Sequence, residues 1–156
     1  MRFHQTTIFI SVFLLLMSFE KSFSQNCTDV SVSKLNDQVI GGVEADGYEL
    51  VDQINYPLQN NAERGIAIQL ESDYNYQFVL VSPTGTKATG IEIENSDDTM
   101  IDYTLNTSGT EKNIATLDFN CDFGGTYLIK YKMLSGSAKT NCSYFSILRM
   151  EKTISK

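Results

Sequence analysis

The chain has 156 residues, with 12 Lys and Arg against 19 Asp and Glu, for a formal net charge of −7. That length suits one domain with one hydrophobic core. The acidic balance argues against nucleic acid, which needs a basic footprint, and against anionic membrane surfaces.

Residues 1–24 read as a cleaved N-terminal signal helix. Arg2 and His4 precede the apolar run IFISVFLLLMSF at residues 8–19, which is too short to span a bilayer. Ser22 and Ser24 put small residues at −3 and −1 of a cleavage after Ser24. A lipid anchor on Cys27 is a poorer reading, because Asn26 stands where a small residue is expected. Cleavage removes Arg2, Lys21 and Glu20, leaving a single domain over residues 25–156 with a net charge of −8. It also removes the only histidine, His4, and the chain has no Trp. The exported domain therefore lacks the residues for a Ser-His-Asp triad, a Cys-His pair or an imidazole metal site. No membrane insertion is expected after cleavage.

Residues 27–65 are ambiguous in period. Thr28 to Leu35 fits a strand or a short helix. QVIGGVEADGYELVDQINYPLQ, from Gln38 to Gln59, has room for one or two strands. Gly41–Gly42 reads as a turn, as does Gly124–Gly125, and NNAERG before residue 66 as another.

From residue 66 onward the apolar residues alternate with period two. Ile66, Ile68 and Leu70 share one face, and Tyr74, Tyr76, Phe78 and Leu80 another, with Asn75 and Gln77 opposite. SPTG at residues 82–85 is a turn with Pro second and Gly fourth. Ile91 and Ile93 then point inward, followed by Ile101, Tyr103 and Leu105, then Ala115, Leu117 and Phe119. Tyr127, Ile129, Tyr131 and Met133 come next, with Lys130 and Lys132 on the outer face. SYFSILRM, Ser143 to Met150, is apolar on both faces, as a central strand is. Short strands at this spacing, separated by Gly, Asn, Asp, Ser and Pro, predict an all-β, jelly-roll-like antiparallel sandwich of about seven to nine strands. The tyrosines at 74, 76, 127 and 131 fall on core faces and read as packing, not as a stacking platform.

The run RGIAIQLESDYNYQFVLVSPTG, followed by IATLDFNCDFGGTYLIKYKM and a closing strand, resembles the pre-peptidase C-terminal type of β-sandwich. Phe119, Cys121, Gly125, Tyr127 and Cys142 also resemble a pattern in small secreted proteins of the Bacteroidetes. Both resemblances cover residues 64–150. They imply a sandwich fold, and no activity that transfers. The second also implies that DTM, Asp98 to Met100, is an O-glycosylation acceptor with Thr99 modified.

An oxidising compartment permits disulfides among Cys27, Cys121 and Cys142. If the last three strands form a meander, Cys121 and Cys142 lie at opposite ends of a strand roughly 20 Å long at about 3.3 Å per residue. A disulfide needs Cα atoms within about 7 Å. The expected bridge is therefore from Cys27 to one of the other two, with the third thiol buried or joining copies. The loop ENSDDTMID gathers Asp97, Asp98 and Asp102, oxygen ligands suited to Ca²⁺, although their spacing is not that of an EF-hand loop. Solvated turn residues are the plainer reading of these carboxylates, and of Asp118, Asn120 and Asp122. The sequons at Asn26, Asn106 and Asn141 are no more numerous than chance supplies.

The function these features support is a non-catalytic binding or accessory module. It is secreted, periplasmic or on the cell surface, needs no cofactor unless calcium, and has an extracellular protein or glycan as partner. The alternatives are a structural protein joining copies through a sheet edge or the odd cysteine, and a glycan hydrolase using carboxylates alone.

Overall fold

A computed structural model describes residues 29–58, 62–107, 112–136 and 142–153. The expected signal segment, Cys27, and the sequons at Asn26 and Asn141 lie outside the described residues.

The described chain opens with a helix, α1 (Val30–Ala45). Asp29 caps it: one carboxylate oxygen accepts the amides of Ser31 at 2.9 Å and Val32 at 3.3 Å, and the Ser31 hydroxyl at 2.6 Å. Val32, Leu35, Val39, Ile40 and Val43 form its apolar stripe and pack on Val79, Val81, Tyr144 and Leu148. Gly41 and Gly42 are not a turn. They lie inside the helix on its exposed side, where a Cβ would meet nothing within 4 Å. Each glycine costs a helix about 1 kcal/mol, which burial of the stripe offsets. The helix ends at Asp46, and Gly47, at φ +98°, turns the chain out of it.

Eight strands follow: β1 (Glu49–Pro57), β2 (Glu63–Leu70), β3 (Tyr74–Val81), β4 (Thr86–Glu94), β5 (Met100–Asn106), β6 (Ile114–Asn120), β7 (Gly125–Ser135) and β8 (Cys142–Glu151). Glu63 and Arg64, expected in a turn, belong to β2. One sheet has the order β1-β8-β3-β6 and the other β2-β7-β4-β5, and every pairing is antiparallel. Only β4 and β5 are both consecutive and paired; every other connection crosses from one sheet to the other. This is the double Greek key of a jelly roll.

The topology corrects the meander expected for the last three strands. β6 pairs with β3, β7 with β2 and β4, and β8 with β1 and β3. Alternation tells which residues share a face and carries no record of which strand is the neighbour.

The core lies between the sheets. Phe78, Leu80, Leu117 and Phe145 from the first sheet meet Ile91, Ile93, Ile129, Tyr131 and Met133 from the second. Tyr76, Tyr127 and Tyr131 are buried, and Tyr74 packs at the margin of the core under the Arg149 guanidinium, 4.4 Å from its ring centre. β8 is central in its sheet and buried from Cys142 to Leu148, because α1 covers its second face. The expected SPTG turn sits one residue later: the Thr86 amide bonds the Pro83 carbonyl at 3.2 Å, and Gly85 supplies φ +94°.

β5 is a second correction. Ile101, Tyr103 and Leu105 are not core residues; they are 47, 62 and 48% exposed. β5 is the edge of its sheet, so its inward side meets the rim of the sandwich instead of the core. Polar residues sit there, and the Asn106 side-chain amide bonds the Ile114 carbonyl at 2.9 Å. Among the described residues no helix is long and apolar enough to cross a membrane.

Candidate functional site: the open face of the second sheet

α1 covers the outer face of the β1-β8-β3-β6 sheet. The outer face of the β2-β7-β4-β5 sheet has no such cover among the described residues, and its composition follows from strand register. One row runs Glu63, Lys132, Gly90, Leu105 and the next Gly65, Lys130, Glu92, Tyr103. Neighbouring rows therefore combine opposite charges on β2, β7 and β4 with an apolar border on β5.

Gly90 is the floor of a depression of about 130 Å³, walled by Tyr103, Leu105, Lys132, Glu63 and Glu92. A Cβ at Gly90 would stand 3.1 Å from the Leu105 side chain, 3.2 Å from the Thr104 carbonyl oxygen and 3.3 Å from Lys132 Cε. Missing side-chain atoms at this one position let Leu105 and Lys132 lean in from either side.

Beside the depression, Lys130 Nζ lies 2.5 Å from Glu94 Oε1. That hydrogen bond holds the Glu94 carboxyl below the usual glutamate range; burial opposes it, and Glu92 alongside lowers it further. The same bond raises Lys130 above the usual lysine range against the pull of burial. The pair is thus fixed in its charged form. A carboxyl held ionised in this way is unsuited to donating a proton, the first requirement of a glycosidase acid.

The acidic loop that the sequence singled out is a turn. The Asn95 side-chain oxygen accepts the amides of Asp97 at 3.0 Å and Thr99 at 2.9 Å, and Asp98 takes a left-handed φ of +55°. Asp102 lies beyond it in β5, where its carboxylate accepts the Tyr103 amide at 2.8 Å. Among the described residues no group of three or more His, Cys, Asp and Glu side chains is placed to hold a metal ion. Thr99 is exposed at the turn. In the second cluster, Asp118 accepts from Gln77 at 2.6 Å and Asp122 from Asn120 at 2.9 Å.

Cys121 is a free thiol, fully buried, with its Sγ 3.2 Å from the Phe123 carbonyl oxygen. Burial pushes its pKa up, against lowering by Tyr127 and Lys152. Cys142 begins β8 at 4% exposure. The sequence reading missed the open face itself, because the outward row of β5 has the same alternation as a core strand. No protein-family model matches this chain, and no curated protein matches it.

Proposed function

We propose that this chain is an exported, non-catalytic binding module that holds its partner on the outer face of the β2-β7-β4-β5 sheet. The observation that carries this reading is the exposed apolar border on β5. Met100, Ile101, Tyr103 and Leu105 are each about half exposed, side by side, next to a depression floored by glycine. Scattered surface apolar residues are ordinary, but contiguous ones rimmed by charge mark interaction sites. Aromatic residues and methionine are enriched at protein interfaces. A protein surface is therefore the favoured partner, with a glycan as the other class the face accommodates. The signal-like segment, and the lack of any histidine beyond His4 to serve as a base, support export and binding over catalysis. The resemblance to exported sandwich modules of the Bacteroidetes belongs to the same reading.

The test places a photo-crosslinking residue at position 103 in the native host, with position 34 on α1 as the control. The expected result is a protein adduct specific to position 103, whose purified partner binds at least tenfold more weakly to Tyr103→Ala. An adduct with carbohydrate would move the partner to the glycan class. Equal labelling from both positions, or affinity unchanged in Tyr103→Ala, would overturn the assignment of this face.

A further inference from the structure

One edge strand of each sheet carries the same local construction. In β1 the pairing with β8 jumps from Leu50↔Leu148 to Asp52↔Ile147, so Val51 is the extra residue of a bulge. In β5 the pairing with β4 jumps from Met100↔Glu94 to Asp102↔Ile93, so Ile101 is the extra residue. Aspartate follows both bulges. Asp52 Oδ1 accepts the Gln53 amide at 2.8 Å, and Asp102 Oδ1 accepts the Tyr103 amide at 2.8 Å. The segments are Leu50-Val51-Asp52-Gln53 and Met100-Ile101-Asp102-Tyr103: two apolar residues, aspartate, then the residue whose amide is taken.

β1 and β5 occupy opposite flanks of the sandwich. β1 borders β2, where Arg64 Nη2 donates to the Tyr56 hydroxyl at 2.5 Å, and β5 borders β6 through Asn106 and Ile114. Both are terminal strands in their sheets. An edge strand presents backbone groups on which another chain can add a strand. These two edges also expose apolar side chains: Leu50 at 40%, Val51 at 50%, Met100 at 52% and Ile101 at 47%. Pairing β1 of one copy with β5 of the next would be heterologous, and would run on as an open polymer unless it closed into a ring. A bulge breaks the regular spacing of the ladder, and an amide already bonded to a carboxylate is not offered to another strand.

We propose that Asp52 and Asp102 are edge guards: each occupies a backbone amide beside a bulge and stops the chain from adding strand to strand onto its own copies. The inference rests on the register and the two hydrogen bonds, independently of the function proposed for the open face. It opposes an assembly role through these edges.

The experiment compares the exported chain with its D52A/D102A and D52N/D102N variants by sedimentation and far-ultraviolet circular dichroism. Asparagine removes the charge and keeps an acceptor oxygen, whereas alanine removes both. The expected result is a monomeric parent, a monomeric asparagine variant, and an alanine variant that self-associates at least tenfold more tightly while keeping its strand signal. An alanine variant as monomeric as the parent would overturn the proposal. So would an asparagine variant that associates equally, because charge repulsion would then be the cause. Amide hydrogen exchange on the parent gives a readout that no folding defect affects. The Gln53 and Tyr103 amides are expected to exchange at least tenfold more slowly than an unstructured chain, and exchange at the unstructured rate would overturn the guard.

Discussion

The rings of Tyr131 in β7 and Phe145 in β8 lie 4.4 Å apart and 3° from parallel, one from each sheet. Phe78, on the neighbouring strand of the same sheet as Phe145, lies near-parallel to it at 6.3 Å and 5°. The two sheets therefore meet at the Tyr131–Phe145 pair, and Phe78 adds a third near-parallel ring to this cluster in the core. Phe145 is 1% exposed, so truncation leaves a cavity that its neighbours only partly fill. Phe145→Ala is expected to cost about 3–5 kcal/mol, and Phe145→Leu about half that. A domain of this size has about 5–15 kcal/mol in total, so the alanine variant should still fold in the cold. Urea titration of the two variants checks this. A cost below about 1 kcal/mol for Phe145→Ala would show that the ring cluster is not central to the fold.

The Glu94–Lys130 pair predicts a pH signature of defined sign. The folded Glu94 pKa is depressed, chiefly by the hydrogen bond from Lys130. Its contribution to stability is present above the unfolded glutamate value, about 4.3, and is lost as the pH falls through the lower folded value. The folded Lys130 pKa is raised by the same bond. Its contribution is present below about 10.4 and is lost as the pH rises through the higher folded value. Between those limits the parent should melt above Glu94→Gln by a constant margin. The margin should close in acid, below about pH 4.3, and close again in strong alkali. Melting curves across the range decide it. A margin that stays the same at pH 2 would show that Glu94 acts through shape and not through charge.

Sequence patterns located most of the strands because burial imposes a period of two, and β8 announced itself as central by being apolar on both faces. α1 was obscured by Gly41–Gly42. The pair lies on the solvent side, where it interrupts the usual helix formers without interrupting the stripe. β5 shows what alternation omits. Ile101, Tyr103 and Leu105 share a face as expected, but that face is outward, because only the position of the strand in the sheet decides which side meets the core. The candidate site was hidden for the same reason. Its members come from four strands, and register alone brings Gly90, Tyr103, Leu105 and Lys132 together. The acidic loop was conspicuous in composition, yet the Asn95 and Asp102 side-chain oxygens accept backbone amides of their own turn and strand.

The cysteines are open to a direct chemical check. Cys121 is buried, and its raised pKa keeps it protonated near neutral pH. Iodoacetamide at pH 8 should leave it unmodified in the folded protein and label it at once in guanidinium chloride. With Cys121 a free thiol, the export proposed above would leave Cys27 and Cys142 to bridge on oxidation. Peptide mapping without reduction should show that pair linked. Labelling of Cys121 in the native state, or its appearance in a bridge between copies, would restore the assembly reading that its burial opposes.

Asn36 offers a last test, at the interface of helix and sheet. It lies on the buried stripe of α1 between Val32 and Ile40, is 1% exposed, and its side-chain oxygen has no hydrogen-bond partner. A buried polar group left unpaired costs about 1–3 kcal/mol, and asparagine is also a weaker helix former than leucine. Asn36→Leu extends the stripe against Val79, Val81 and Leu148, so it should stabilise the fold by about 1 kcal/mol and raise the melting temperature by about 3 °C. Asn36→Asp keeps the shape and adds a buried charge, so it should destabilise by more than the leucine variant stabilises. Thermal melts of both variants at pH 7 check the pair of signs. A leucine variant that melts as low as the aspartate variant would mean that the Asn36 oxygen is satisfied in solution, and that the helix needs a polar group at this point to seat on the sheet.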